Sequence, residues 1–479
     1  MKNFYFLIAL IAVITFGLSS CMEDNPTTSE VAYNEITPFY PNGGGDTGNG
    51  GGTTTGGTNT GTGTDNGSNP QPEVVLRVTH GKYCSWISSM EEATCIRKEA
   101  NIADPNAKTY CFGKDYYGIT AVPAFEKDDT RYGQSTYSGL TDVSSIFESV
   151  PTQMDGGQTH GIAILANDKA YAWGSDATVN DEIGGQSGHL GQRNTTIIRS
   201  DNYSAYKTVA GYRHSGVMLQ DGRYTAFGTG SNGQLGVENR FRTLNKVAYF
   251  APDSEGGTTW TDFRDVSTKT YHTCAIRGEV NKPGNVWCVG KNANGQLGQT
   301  DNLASAAEWY EVGITDAVQI ATSANASCAL HADGSVSCWG RAENGEMGTG
   351  VSTGNHAPAK ITKQFNTDFT ESDVPPFRFI TMGKAVVYAI THDKKLYSWG
   401  SNGQGQVGQA DTTEAYILKP RYTGLENITD VAVFGVTPCA KQGEGLDAKF
   451  YCTGNNDFGQ ATGGATSDFE RTWNEIVIP

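Results

Sequence analysis

The chain is poor in positive charge: 35 Lys and Arg stand against 51 Asp and Glu, a net charge of −16. A surface this negative does not hold phosphate backbones by displacing their counterions, so nucleic acid is excluded as a partner. Metal-binding and catalytic signatures are missing as well. There is no Cys-x-x-Cys knuckle, no His-Glu-x-x-His and no calcium-loop pattern, which leaves zinc and calcium sites without their usual marks. The paired carboxylates Glu91-Glu92 and Asp128-Asp129 fall in irregular insertions and read as solvated surface. Glycine is plentiful, 60 of 479 residues, yet not at every third position, which removes collagen and leaves a fold of many tight turns. Glycine-rich turns cradle phosphates only where a strand feeds a helix, and no helical pattern follows any of these. The expectation is a protein without catalysis, metal or cofactor.

What is present begins with a targeting segment, residues 1–20. Lys2 supplies a positive end, Phe4 to Phe16 is an apolar run, and Leu18-Ser19-Ser20-Cys21 closes it. That ending resembles a bacterial lipoprotein cleavage site, which implies lipidation of Cys21; the alternative is an ordinary secretory peptide with a chance cysteine. Two or more acyl chains would hold the chain to a membrane. Met22-Glu23-Asp24 resembles the surface-export signal of lipoproteins in Bacteroides-like bacteria, so an outer-membrane, surface-exposed location is expected. Residues 21–73 form a linker, nearly all Gly, Thr, Asn and Asp over 42–72. Such a composition has nothing to bury and spans roughly 30 Å as a flexible tether. The alternating patch Val31–Tyr40 is taken as part of it.

Residues 74–479 are repetitive. A hairpin pattern ends in glycine seven times, at Gly113, Gly174, Gly228, Gly290, Gly340, Gly400 and Gly454. Repetition at such a period marks a solenoid or propeller. The clearest copy alternates from Ile320 to Leu330, turns at Asp333-Gly334 and alternates again to Trp339-Gly340. A second turn follows, as in Ser231-Asn232-Gly233-Gln234-Leu235-Gly236 and Ala293-Asn294-Gly295-Gln296-Leu297-Gly298. A further strand then leads out. Seven copies without helices predict an all-β, seven-bladed β-propeller. The terminal segment Arg471–Pro479 has the form of an outgoing strand with no hairpin after it, and is expected to complete the first blade and close the ring.

The run Val209-Ala210-Gly211-Tyr212-Arg213-His214-Ser215 through Gly236 resembles the regulator-of-chromosome-condensation repeat almost position by position, and Val266–Gly298, Ile320–Gly348 and Ile380–Gly408 follow it well. Copies at 78–113 and 431–460 are degenerate, and an insertion from Asp176 to Ser187 interrupts another. The resemblance implies a seven-bladed propeller over about 74–479. Family members serve in nucleotide exchange with histone and DNA binding, as ubiquitin-ligase partners and in β-lactamase inhibition, and no residue pattern here carries the exchange activity, so the fold is implied and the function is not.

Cysteines and histidines follow the repeat. Cys274/Cys288, Cys328/Cys338 and Cys439/Cys452 straddle single hairpins, and Cys95/Cys111 straddles a longer one; all four are expected as disulfides, with Cys84 left over. Opposite positions elsewhere hold Ile162 with Ala172, Gly216 with Ala226 and Tyr388 with Ser398. His160, His214 and, close by, His272 recur with the blades, which suits a structural tether from imidazole to backbone. Binding is expected in the non-repeating insertions 85–93, 115–148, 176–187, 238–264, 300–313 and 362–377, where Tyr116, Tyr117, Tyr249, Phe250, Trp260, Trp309 and Tyr310 sit in polar surroundings. An envelope or extracellular protein is the expected partner. A glycan in a surface uptake system, or a purely structural envelope role, is the alternative.

Overall fold

A computed structural model of the chain describes residues 86–90, 93–98, 107–115, 136–147, 149–158, 160–174, 195–196, 204–236, 241–242, 260–299, 304–366, 368, 370–409 and 414–479. These form seven sheets in chain order, antiparallel except for one strand pair in the sixth. Blade 4 shows the plan: Phe263–Thr268, His272–Arg277, Asn285–Lys291 and Ser305–Glu311 pair in succession from the axis outwards. The innermost strands of all seven blades line one axial cavity of about 90 Å3. The ring is a seven-bladed β-propeller.

Strands with both faces covered lose the alternation of a half-exposed sheet, and their burial here is continuous in His214–Leu219, Ala317–Thr322 and Val386–Thr391. Blade 4 explains why. Val266 and Ala275 pack with Met218, Tyr224 and Ala226 of blade 3. Cys274, Ile276, Val286 and Cys288 pack with Ile320, Ala329 and Trp339 of blade 5. No blade owns a complete core, so each is stable only between neighbours.

The glycine that ends each hairpin has a geometric cause. Gly113, Gly290, Gly340, Gly400 and Gly454 have φ between 93° and 113°. Each marks a register shift against the outer strand. A bulge at that point turns the outer strand without breaking the ladder, and the left-handed backbone favours glycine. In the second turn Leu235, Leu297, Met347 and Val407 are buried, as their spacing predicts.

Blade 6 departs from the plan. A hairpin, Lys363–Phe365 with Glu371–Asp373, adds to its outer strand Tyr416–Tyr422, with Phe365 opposite Arg421 in parallel. Ring closure also differs from the sequence expectation. The last strand, Phe469–Ile476, pairs with Lys449–Asn455 as the outer strand of blade 7. Blade 1 has its own fourth strand, Thr136–Asp142. The reason is local: the outgoing strand doubles back antiparallel on the strand it has just left, so it completes its own hairpin's blade. Closure falls instead to side chains. Ile87, Ile96 and Phe112 pack against Phe450, Cys452 and Ile476. Ser89 Oγ donates to Thr437 O at 3.0 Å, and Lys114 lies 4.6 Å from the Phe458 ring.

Candidate functional site

The frame comes first, because it decides which polar groups are free to act. Inner-strand side chains cap main-chain amides of the next blade: Thr208 N donates to Gln153 Oε1 at 3.1 Å, Ala210 N to Asp155 at 2.8 Å, Ile320 N to Asp265 at 2.9 Å and Ile380 N to Gln319 at 2.8 Å. The recurring histidines do the same work further out. His160 Nε2 meets Ser215 Oγ at 2.7 Å, His272 meets Ser327 Oγ at 2.9 Å, and His214 pairs with Thr268 Oγ1. Their partners are hydroxyls of the following blade rather than backbone, since the buried ring reaches past its own loop. Burial drives His214 and His272 down to about 3, with His160 and Lys291 respectively adding repulsion. Both are neutral at any physiological pH, which suits ties and not proton transfer.

The axis holds further buried charge. Lys207 and Asp265 pair at 2.5 Å. Burial raises Asp155, opposed by Lys269, and burial lowers Lys269, opposed by Asp155. Asp430 is pushed up to about 6 by burial against the pull of Lys441. Lys269 crosses to blade 7, donating to Val433 O at 2.8 Å. These groups compensate one another inside the ring.

The rim carries the most distinctive surface. At the blade 4 end where the second and third strands turn, Trp260, Trp287 and Trp309 meet, with centroids 5.5 Å and 6.1 Å from Trp260. Arg277 lies 3.3 Å from the Trp260 ring and 5.2 Å from Trp287, while Asp262 accepts two of its hydrogen bonds at 2.8 and 3.1 Å. A guanidinium held between indoles and a carboxylate is neutralised and fixed. Asp262, Arg277, Asn285 and Trp287 border an open cavity of about 300 Å3. Asn285 Nδ2 donates to Glu311 at 2.8 Å beside it.

Blade 5 puts Asp316, His331 and Ser337 in the places of Asp262, Arg277 and Trp287. His331 joins Asp316 at 2.7 Å through Nδ1 and Ser337 at 2.8 Å through Nε2. The connectivity is that of a Ser-His-Asp relay, but Ser337 is buried, and the three residues repeat a clasp that blade 4 builds from other side chains.

The structure sorts the sequence-predicted residues. Trp260 and Trp309, far apart in sequence, come together, and both are half-buried against Phe263 and the blade 3 core. Tyr310, on the opposite face of the outer strand, is 36% exposed. Trp287 was not singled out by sequence reasoning, although Tyr171, Tyr397 and Tyr451 occupy the matching strand position. Tyr116, Tyr117, Tyr249, Phe250, Cys21 and Cys84 lie outside the described residues, as do the linker and signal segments. Cys95–Cys111, Cys274–Cys288, Cys328–Cys338 and Cys439–Cys452 are bonded across strands, each pair directly opposite in register. Ile162/Ala172, Gly216/Ala226 and Tyr388/Ser398 fill the same register elsewhere. Among the described residues no three His, Cys, Asp or Glu side chains gather as metal ligands would.

The geometry defines a repeat propeller whose blades are tied by buried polar groups and whose variable side chains sit at the rims. The Regulator of chromosome condensation (RCC1) repeat matches residues 317–346, blade 5 from its inner strand to its second turn. The chain is 25% identical over 265 residues to the human probable E3 ubiquitin-protein ligase HERC6, covering 55% of this chain and 24% of that protein. It is 23% identical over 331 residues to the human Regulator of chromosome condensation, covering 64% and 73%. Thus it spans about a quarter of the first relative's length. The solved structure of Prp20p from Saccharomyces cerevisiae, a protein studied for binding to Gsp1p and histones, superposes with a TM-score of 0.56 at 18% identity, covering 73% of this chain and 80% of that one. The chain is an RCC1-like β-propeller.

Proposed function

We propose that the chain is a cell-envelope lipoprotein whose propeller binds another protein and performs no catalysis. The observation that carries the binding reading is the blade 4 rim. The indoles of Trp260 and Trp287 stand beside Glu311, and the exposed Tyr310 lies on the other face of the same outer strand, all carried on paired strands. The Leu18-Ser19-Ser20-Cys21 ending supports the anchor, and the linker would hold the ring off the lipid surface. Prp20p's binding to Gsp1p and histones shows how an RCC1-like ring is used in one relative, and the acidic charge here argues for a different partner.

The test is affinity capture from the native envelope with residues 73–479, wild type against Trp287→Ala/Tyr310→Ala. Recovery of one protein that drops at least about tenfold with the pair, at unchanged fold, is the expected result. Equal recovery by both removes this rim as the site. Labelling with an alkynyl fatty acid, present in wild type and lost in Cys21→Ala, tests the anchor. A glycan is the second reading, favoured by Trp287 beside the Asn285–Glu311 pair at an open cavity, an arrangement able to stack and hydrogen-bond a sugar; a silent glycan array would dismiss it.

A further inference from the structure

Around the axis the blades are joined by a repeated device, and it breaks down where blade 3 meets blade 4. Gln153 of blade 2 accepts from Thr208 N, Asp265 of blade 4 from Ile320 N, and Gln319 of blade 5 from Ile380 N. Each side chain caps the amide one residue past its own counterpart in the next blade. The counterpart in blade 3 is Lys207, placed to cap Val266 N, but an ammonium has nothing to accept with. Asp265 turns back to fill the gap, and Val266 N donates to its Oδ1 at 3.0 Å.

The same Oδ1 meets Lys207 Nζ at 2.5 Å, with the two side chains 9% and 1% exposed. In other ion pairs one partner reaches solvent, as Asp262 does against Arg277, Glu444 against Lys441 and Glu371 against Lys419. Here neither does, so both charges have lost their hydration. Val209 and Val266, beside the pair on the inner strands of blades 3 and 4, belong to one apolar cluster that keeps the two strands together. An amine and a carboxyl held in contact between fixed strands are the reactants of an amide, with the entropy of bringing them together already lost in folding. Lys207 and Val266 also line the axial cavity of about 90 Å3, which has room for a released water.

We propose that Lys207 and Asp265 condense to an isopeptide bond that staples blade 3 to blade 4. A proton passes from Lys207 Nζ to Oδ1 along their hydrogen bond, and the amine attacks Cγ of Asp265. The C–N bond forms and the Cγ–Oδ1 bond breaks. Oδ1 leaves as water, carrying that first proton and a second from Nζ. No redox change occurs and no co-reactant enters. Oδ2 stays as the amide oxygen and keeps its bond from Ile320 N. Val266 lines the same cavity, so the released water is at hand to accept from its amide. Two buried charges are replaced by one neutral amide. The reaction acts once, on the chain itself, and does not depend on the blade 4 rim.

The experiment is peptide mapping of the full-length chain, unfolded in denaturant, reduced, digested with trypsin and read by mass spectrometry. The expected product is a branched peptide, residues 200–213 joined to residues 265–269, lighter than the sum of its parts by one water and uncut after Lys207. Lys207→Arg keeps the charge pair but removes the amine. It is expected to lose the branched peptide and to unfold at a lower denaturant concentration, because the bond would close a separation of 58 residues in the unfolded chain. Cleavage after Lys207 throughout the wild-type population, the mark of an ion pair only, overturns the proposal whether or not the variant folds. A branched peptide of the corresponding mass in Lys207→Arg overturns it as well.

Discussion

Glu346 shows how one residue can carry a cost that its neighbours avoid. In the second turn, Gln234, Gln296, Gln406 and Gln460 each accept a hydrogen bond from the main-chain amide two residues earlier, at 2.8–2.9 Å. Blade 5 uses Glu346 in that place, accepting from Asn344 N at 2.9 Å. Burial raises its pKa, and the hydrogen bonds only partly offset this. A carboxyl raised in the fold contributes its stability below the ordinary carboxylate range and loses it as pH rises. Glu346→Gln is therefore expected to raise Tm at neutral pH by about 1–2 °C, for a gain on the order of 1 kcal/mol. The difference should vanish in acid. His214 and His272 act in the opposite sense. With folded pKa values near 3 against an ordinary value of 6.5, they favour the fold above 6.5 and withdraw that support as pH falls toward 3. Each can remove up to a few kcal/mol over that window. Calorimetric Tm should drop steadily through it, and less so in His272→Gln.

At the level of the element, the blade hairpin is read from sequence through alternation and turn chemistry, and the disulfides add a covalent tie where the two strands face each other. Cys328 and Cys338 close a 10-residue separation in blade 5 and are fully buried. Constraint of a loop this short is worth roughly 3 kcal/mol in the entropy account. Cys328→Ala/Cys338→Ala is expected to lower stability by about that amount in chemical denaturation without altering the fold, because Gly216/Ala226 fills the same register in blade 3. Alternation also explains what was missed. It marks which strand residues share a face, but not that Trp287 would meet Trp260 and Trp309, which come from segments outside its hairpin. The insertion aromatics stood out by composition; their half-buried packing against blade 3 depends on a neighbour no local pattern describes.

For the whole molecule, the seam between blades 1 and 7 is the decisive joint. No strand is shared across it, so its strength is that of its side chains, with Phe112 and Phe450 both buried there. Phe450→Ala removes a ring from this seam and is expected to cost about 3–5 kcal/mol. Hydrogen exchange should quicken in the strands of both blades 1 and 7, and least in blade 4 across the ring. Acceleration confined to blade 7 would show that the seam is not cooperative.

Sequence alone determined the all-β class, the seven modules, the second-turn residues that drop into the core and the pairs of opposed cysteines. Each of these depends on neighbours a few residues apart, through turn conformation and strand alternation. Tertiary structure decided where the chain ends, because Phe469–Ile476 returns to its own hairpin, a choice of partner the two candidate blades leave open in sequence. It also decided that the recurring histidines grip the next blade's hydroxyls, and that Trp260, Trp287 and Trp309 meet at one rim. Those relations arise only when the ring brings together side chains about one blade or more apart, and no local rule of spacing encodes them.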